Sequence, residues 1–135
     1  MTLINTNEYK TMAELIYKEE TFKIIGVCMN VHNILGGGFL EIVYKDAIEY
    51  EFQKLAIPYE REKQYEIAYK DIILPHKFFA DFIVFDKIIL EVKAVEGIVD
   101  EFIKLVINYL SVSKCKLGLI VNFGRDKLTY KRIVY

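Results

Sequence analysis

Phe78-Phe79-Ala80-Asp81-Phe82-Ile83-Val84-Phe85-Asp86-Lys87-Ile88-Ile89-Leu90-Glu91-Val92-Lys93-Ala94 reads as two apolar strands joined by a polar Asp-Lys turn. Phe, Ile and Val suit a packed, pleated surface. Three charged residues, Asp81, Glu91 and Lys93, interrupt the apolar runs. Ionised side chains are seldom fully buried unless paired or metal-bound, because losing hydration costs several kcal/mol. Side chains alternate along a strand, so Glu91 and Lys93 share a face. Whether Asp81 joins them is a question of parity. A two-residue Asp86-Lys87 loop sets Phe85 opposite Ile88 and Glu91 opposite Phe82, with the two carboxylates on opposite faces. A three-residue loop, with Val84 opposite Ile88, restores a common face. A bulge between Phe79 and Val84 does the same. We therefore expect one or the other.

Two carboxylates and a lysine on adjacent strands can hold a divalent cation and a water, which is the chemistry of metal-assisted phosphodiester cleavage. The same residues also have a structural reading. Asp81 then caps a backbone kink, and Glu91–Lys93 is a partly exposed pair on an edge strand. The stretch alone leaves both open.

Upstream, Ile24, Ile25, Cys28, Met29, Val31, His32 and Leu35 recur at helical steps and predict an amphipathic helix. Its start falls at Thr21 or earlier, near Thr11, and Gly36-Gly37-Gly38 ends it. A second helix is expected from about Phe39 to Leu55, packing through Leu40, Val43, Ala47, Tyr50 and Leu55. Tyr65 to Tyr69 alternates as a half-buried strand, with a short return at Ile72-Ile73-Leu74. Downstream, a third helix runs from about Asp100 to Ser111. Its apolar residues (Phe102, Ile103, Leu105, Val106, Ile107, Tyr109, Leu110) nearly encircle it, which predicts burial by the sheet and by a second copy of the chain. Leu117 to Val121 reads as a strand buried on both faces, and Leu128 to Val134 as a last strand. The strand–helix–strand passage from Leu90 to Val121 implies a parallel crossover pair. The fold class is α/β, a mixed central sheet flanked by helices.

The 135 residues suit one domain, 1–135, with 1–12 a loosely ordered segment. An apolar fraction of 53% excludes a disordered chain. No apolar run approaches the roughly 18 residues of a membrane span. Cys28 and Cys115 lack the spacing of a zinc site or a disulfide framework, so a reducing, cytoplasmic compartment is expected. A net charge of −1 does not announce a nucleic-acid binder. Basic residues do gather toward the end (Lys114, Lys116, Arg125, Lys127, Lys131, Arg132), as a solvated face or a phosphate-facing patch. His32, among apolar neighbours, reads as a packing residue.

Gly38-Phe39-Leu40-Glu41-Ile42-Val43-Tyr44 has the pattern G-x-x-E-x-x-Y, with Glu41 and Tyr44 on one helix face. By itself Glu41 is a first-turn acid complementing the helix dipole, and Tyr44 a core tyrosine with a satisfied hydroxyl. Joined in order to Ala80-Asp81, Glu91-Val92-Lys93-Ala94, Asn108-Tyr109-Leu110, Asn122-Phe123-Gly124 and Lys131-Arg132-Ile133-Val134, the chain from about residue 20 resembles the GxxExxY family of the PD-(D/E)XK nuclease-like superfamily. The resemblance implies a restriction-endonuclease-like core with a four-stranded mixed sheet and a site where the central strands fork. It implies Mg²⁺ or Mn²⁺ on Asp81, Glu91 and the Val92 backbone carbonyl. Lys93 would act on the attacking water or the transition state, and Glu41 would complete the site or join a second metal. The implied partner is nucleic acid and the implied activity phosphodiester hydrolysis. The alternative is a nuclease-fold protein that binds nucleic acid or protein without cutting. Leu105 stands where many relatives carry a glutamine, four residues before Tyr109.

Overall fold

The computed structural model describes residues 16–124 and 126–135. The expectation for residues 1–12 lies outside them. Helix α1 (Lys18–Leu35) and α2 (Glu41–Lys54) lead into β1 (Tyr59–Tyr65) and a small hairpin, β2 (Ala68–Tyr69) and β3 (Ile72–Ile73). Strands β4 (Phe78–Val84) and β5 (Ile88–Lys93) follow, then α3 (Asp100–Ser113), β6 (Leu117–Asn122) and β7 (Thr129–Val134). The main sheet has five strands in the order β1-β4-β5-β6-β7. β5 and β6 are parallel, and the other neighbours are antiparallel. The mixed sheet, helices on both faces, is α/β as expected, with β1 an additional edge beyond four strands. Among the described residues, no helix is long and apolar enough to cross a membrane.

Alternation along the strands divides the core in two. Phe82, Val84, Ile88, Leu90, Val92, Leu119 and Val121 pack against α1 and α2. Ala80, Ile83, Ile89 and Ile120 pack against Val106, Tyr109 and Leu110 of α3. Gly118 lets α3 lie close on β6, because a Cβ there would collide with Val106 Cγ1. Phe102, Ile103, Leu105 and Ile107 are half-buried against that same cluster, so the sheet side covers much of the wide apolar stripe.

Several expected elements shift. α1 begins at Lys18, so Thr21 is a buried helical residue rather than a cap, and Met29 is exposed. Gly36 does end it, at φ 71. α2 is rotated from the expected face: Tyr44, Ile48 and Phe52 are buried, whereas Leu40, Tyr50 and Leu55 are exposed. Two apolar stripes compete on this helix. The one with three residues at steps of four reaches the core, where Phe52 meets Phe82 edge to face at 5.6 Å between ring centroids.

The strand expected at Tyr65–Tyr69 belongs instead to two elements, and the edge strand Tyr59–Tyr65 was hidden by its charge. Its half-buried positions include Arg61, whose guanidinium lies 5.8 Å from the centre of the Phe82 ring while binding Asp46 and Glu49. Long basic side chains cover apolar surface and keep the charged head paired.

Candidate active site

The β4–β5 loop is Phe85-Asp86-Lys87, with Val84 opposite Ile88, Ile83 opposite Ile89 and Phe82 opposite Leu90. An odd loop is one of the two devices that a shared face allowed. It turns through left-handed backbone at Phe85 and Asp86, φ 55 and 58. β4 is also irregular at Asp81: Ala80 packs on the α3 side and Phe82 on the other, though alternation would put them together. On the facing strand Glu62 has φ 55, and pairing resumes on both sides as Arg61–Phe82 and Lys63–Ala80. The β1–β4 register is the same on both sides of this irregularity, so no extra residue is inserted against β1, and of the two expected devices the odd loop is the one present.

Beyond Phe82–Leu90 the carboxylates replace the ladder. The Asp81 N–H donates to Glu91 Oε1 at 2.9 Å, and the Val92 N–H donates to Asp81 Oδ2 at 2.8 Å. Each acid is thus held by the backbone of the opposite strand. The Val92 N–H points toward β4, and in an extended strand the carbonyl of the same residue faces the same side. The carbonyl expected at the site therefore faces the fork.

Glu91 is 4% exposed. Burial raises its pKa well above the usual carboxylate range, and the Asp81 charge adds to the rise. The Asp81 N–H and the Lys93 ammonium oppose it without cancelling it. Lys93 is half-buried on the same face, its Nζ 4.4 Å from the centre of the Phe102 ring on α3. The Phe123 N–H donates to the Lys93 carbonyl at 2.8 Å, and buried Asn122 bonds both the N–H and the carbonyl of Val95. These contacts fix the end of β5. Tyr109 on α3 donates to the Phe79 carbonyl at 3.0 Å, just before Asp81 on β4.

The upstream motif separates into structural and polar parts. Tyr44 is fully buried, stacks on Phe123 at 4.2 Å between centroids, donates to the Gly36 carbonyl and accepts from the Phe39 N–H. It pins the glycine turn. Glu41 opens α2 and is half-buried. Among the described residues, no three His, Cys, Asp or Glu side chains are placed to share an ion. The α2 residue that does reach the acids is Lys45, one turn on. Its Nζ is 3.0 Å from Asp81 Oδ1 and also binds Glu62. Neither Lys45 nor Glu62, in the polar run of β1, carries a local sequence signal.

A family model described as the PD-(D/E)XK nuclease superfamily matches residues 18–133. The chain belongs to that superfamily. Among solved structures, the one titled "Crystal structure of SSO0001" has the same fold at a TM-score of 0.58 and 17% identity. The likeness covers 93% of this chain and 61% of the other, so the chain spans about three fifths of that protein. No curated protein matches. Asp81, Glu91 and Lys93 come from the adjacent strands β4 and β5, at the end where their ladder stops.

The donors suit the divalent metal such nucleases usually use. They are all oxygen, and the pKa of Glu91 is raised first by burial and then by the Asp81 charge beside it. Two carboxylates suffice for Mg²⁺, which keeps several waters and rarely has an all-protein cage.

Proposed function

We propose that this PD-(D/E)XK protein is a GxxExxY-type nuclease that hydrolyses phosphodiester bonds of nucleic acid with Mg²⁺ or Mn²⁺. The observation that carries the reading is the exchange of ladder bonds for carboxylate bonds at Asp81 and Glu91. Two acids drawn together with a lysine on the same sheet face are costly to fold unless something uses their charge.

Asp81, Glu91 and the Val92 carbonyl would hold the cation. When bound, it supplies Lewis-acid charge that acidifies water and polarises phosphate oxygens. The chain's own residues do the rest. Lys93 presents an ammonium toward charge developing on the phosphate oxygens. Phe102 holds that ammonium in place through its ring face. The cross-strand bonds keep both carboxylates oriented before substrate arrives, so little reorganisation is left for the reaction.

The test is a panel of DNA and RNA substrates with Mg²⁺ and Mn²⁺, with Lys93→Ala as control, beside melting curves with and without metal. We expect metal-dependent cutting that Lys93→Ala removes. We also expect metal to raise the midpoint of the native chain but not of Asp81→Asn, since a cation bound only by the folded state stabilises it. Metal stabilisation and nucleic-acid binding without cutting would instead mark a binding module. An unchanged midpoint at millimolar metal would sink the metal site.

A further inference from the structure

We propose that Lys45 is an internal counter-cation of the site: it holds Asp81 in the metal-free chain and moves onto Glu62 when a divalent ion binds. This rests on the metal-binding reading above. Asp81 Oδ2 is engaged by the Val92 N–H and Glu91 Oε1 by the Asp81 N–H. Asp81 Oδ1 and Glu91 Oε2 are the carboxylate oxygens that those two backbone N–H groups leave unengaged. The ammonium of Lys45 already sits 3.0 Å from Asp81 Oδ1. An ammonium and a divalent ion on one oxygen repel each other strongly at this range.

Lys45 has a second berth at hand. Its Nζ also binds Glu62 Oε1. The side chains of Lys45 and Asp81 are 12% and 14% exposed, whereas Glu62 is 48% exposed. The ammonium therefore bridges a buried acid and a solvated one. Burial alone would lower the Lys45 pKa, but the bonds to Glu62 and Asp81 outweigh it and raise it. The left-handed backbone of Glu62 takes that residue out of the β1–β4 ladder at the point where Asp81 leaves it. A small swing of a flexible four-carbon stem releases Oδ1 without leaving the ammonium unpaired.

Mn²⁺ and Mg²⁺ titrations by calorimetry, without nucleic acid, test this on the full chain and on Lys45→Met and Glu62→Gln. Removing the competing charge should tighten metal binding about tenfold or more in Lys45→Met, the scale on which one adjacent charge acts on a carboxylate. Glu62→Gln should weaken it several-fold, because Lys45 then has a poorer alternative to Asp81. In the native chain, the Lys45 ammonium signal in NMR should shift as metal is added. That signal decides the matter if Lys45→Met does not fold. Equal or weaker binding by folded Lys45→Met, or an unmoved Lys45 signal at metal saturation, would overturn the proposal and leave the metal site standing. No binding by any of the three proteins would overturn both.

Discussion

The two ends of the β4–β5 hairpin use similar strands for opposite purposes. At the closed end, Val84 and Ile88 face each other fully buried, and the Lys87 N–H returns to the Val84 carbonyl. Main chain bonds to main chain, and side chains only pack. At the open end the same two strands part, and the carboxylates of Asp81 and Glu91 take the backbone N–H groups. The comparison teaches how a sheet can position acids accurately. The bonds that would have continued the ladder are reused to orient the side chains, so the site inherits the rigidity of the strands that end there. One end contributes stability through apolar contact; the other gives some up in burying charge.

The largest expected effect lies on the apolar side of this comparison. Phe82 is fully buried against Phe52 and Tyr59. Phe82→Ala should cost about 3–5 kcal/mol in urea unfolding, by lost burial and a cavity. A loss below about 1 kcal/mol would mean that the apolar contacts of the hairpin are not where the stability lies.

The open end should reveal itself through pH. The folded pKa of Glu91 is raised, whereas an unfolded glutamate titrates near about 4.3. Between these values the folded chain holds the extra proton. Stability should therefore fall as pH rises through that window, and be unaffected by this group below it. A fall on the order of 2 kcal/mol between mildly acidic and mildly alkaline pH, absent from Glu91→Gln, is expected in metal-free buffer. Equal slopes for the two proteins would remove the buried charge from the account.

A smaller effect is expected at Leu105, half-buried beside the α3 cluster. Leu105→Gln should cost about 1 kcal/mol, because a half-exposed amide can turn part of itself to water. A loss well above that in thermal or urea unfolding would show that the side chain is core in full.

The smallest belongs to the exposed pair Glu60–Lys63 on β1, at 3.0 Å. Glu60→Ala should shift stability by less than about 1 kcal/mol, since both groups are solvated. A larger change in the same urea assay would show that the charged edge supports the fork.

The hairpin was legible because its signals are local. Two apolar runs, one polar break and the alternation rule limited the register to few choices; the requirement of a shared face left an odd loop or a bulge, and the structure has the odd loop. The parallel β5–β6 pair followed from the intervening helix. The face of α2 was not legible, because Leu40, Val43 and Tyr50 form as good a stripe as Tyr44, Ile48 and Phe52. Only the sheet beneath decides between them. β1 was missed because its inward positions include Arg61, whose stem packs by Phe82 while its charge reads as loop. The Lys45 bridge had no local signal either: its partners are 17 and 36 residues away. Glu41 was singled out by pattern, and it is the residue one turn later that meets Asp81.

Glu62 has a consequence for the chain's behaviour in a crowded solution. β1 is one margin of the sheet, and an unprotected margin is a template on which a neighbouring molecule can lay a strand. Here the left-handed turn at Glu62 divides that margin into two runs of three residues, 59–61 and 63–65. Glu60, Glu62 and Gln64 stand exposed along it. Neither run is long enough to seed a fibril-like contact, and an approaching strand meets two carboxylates. The same acid that binds Lys45 thus helps to keep copies of this aromatic-rich protein from adding to one another edge to edge.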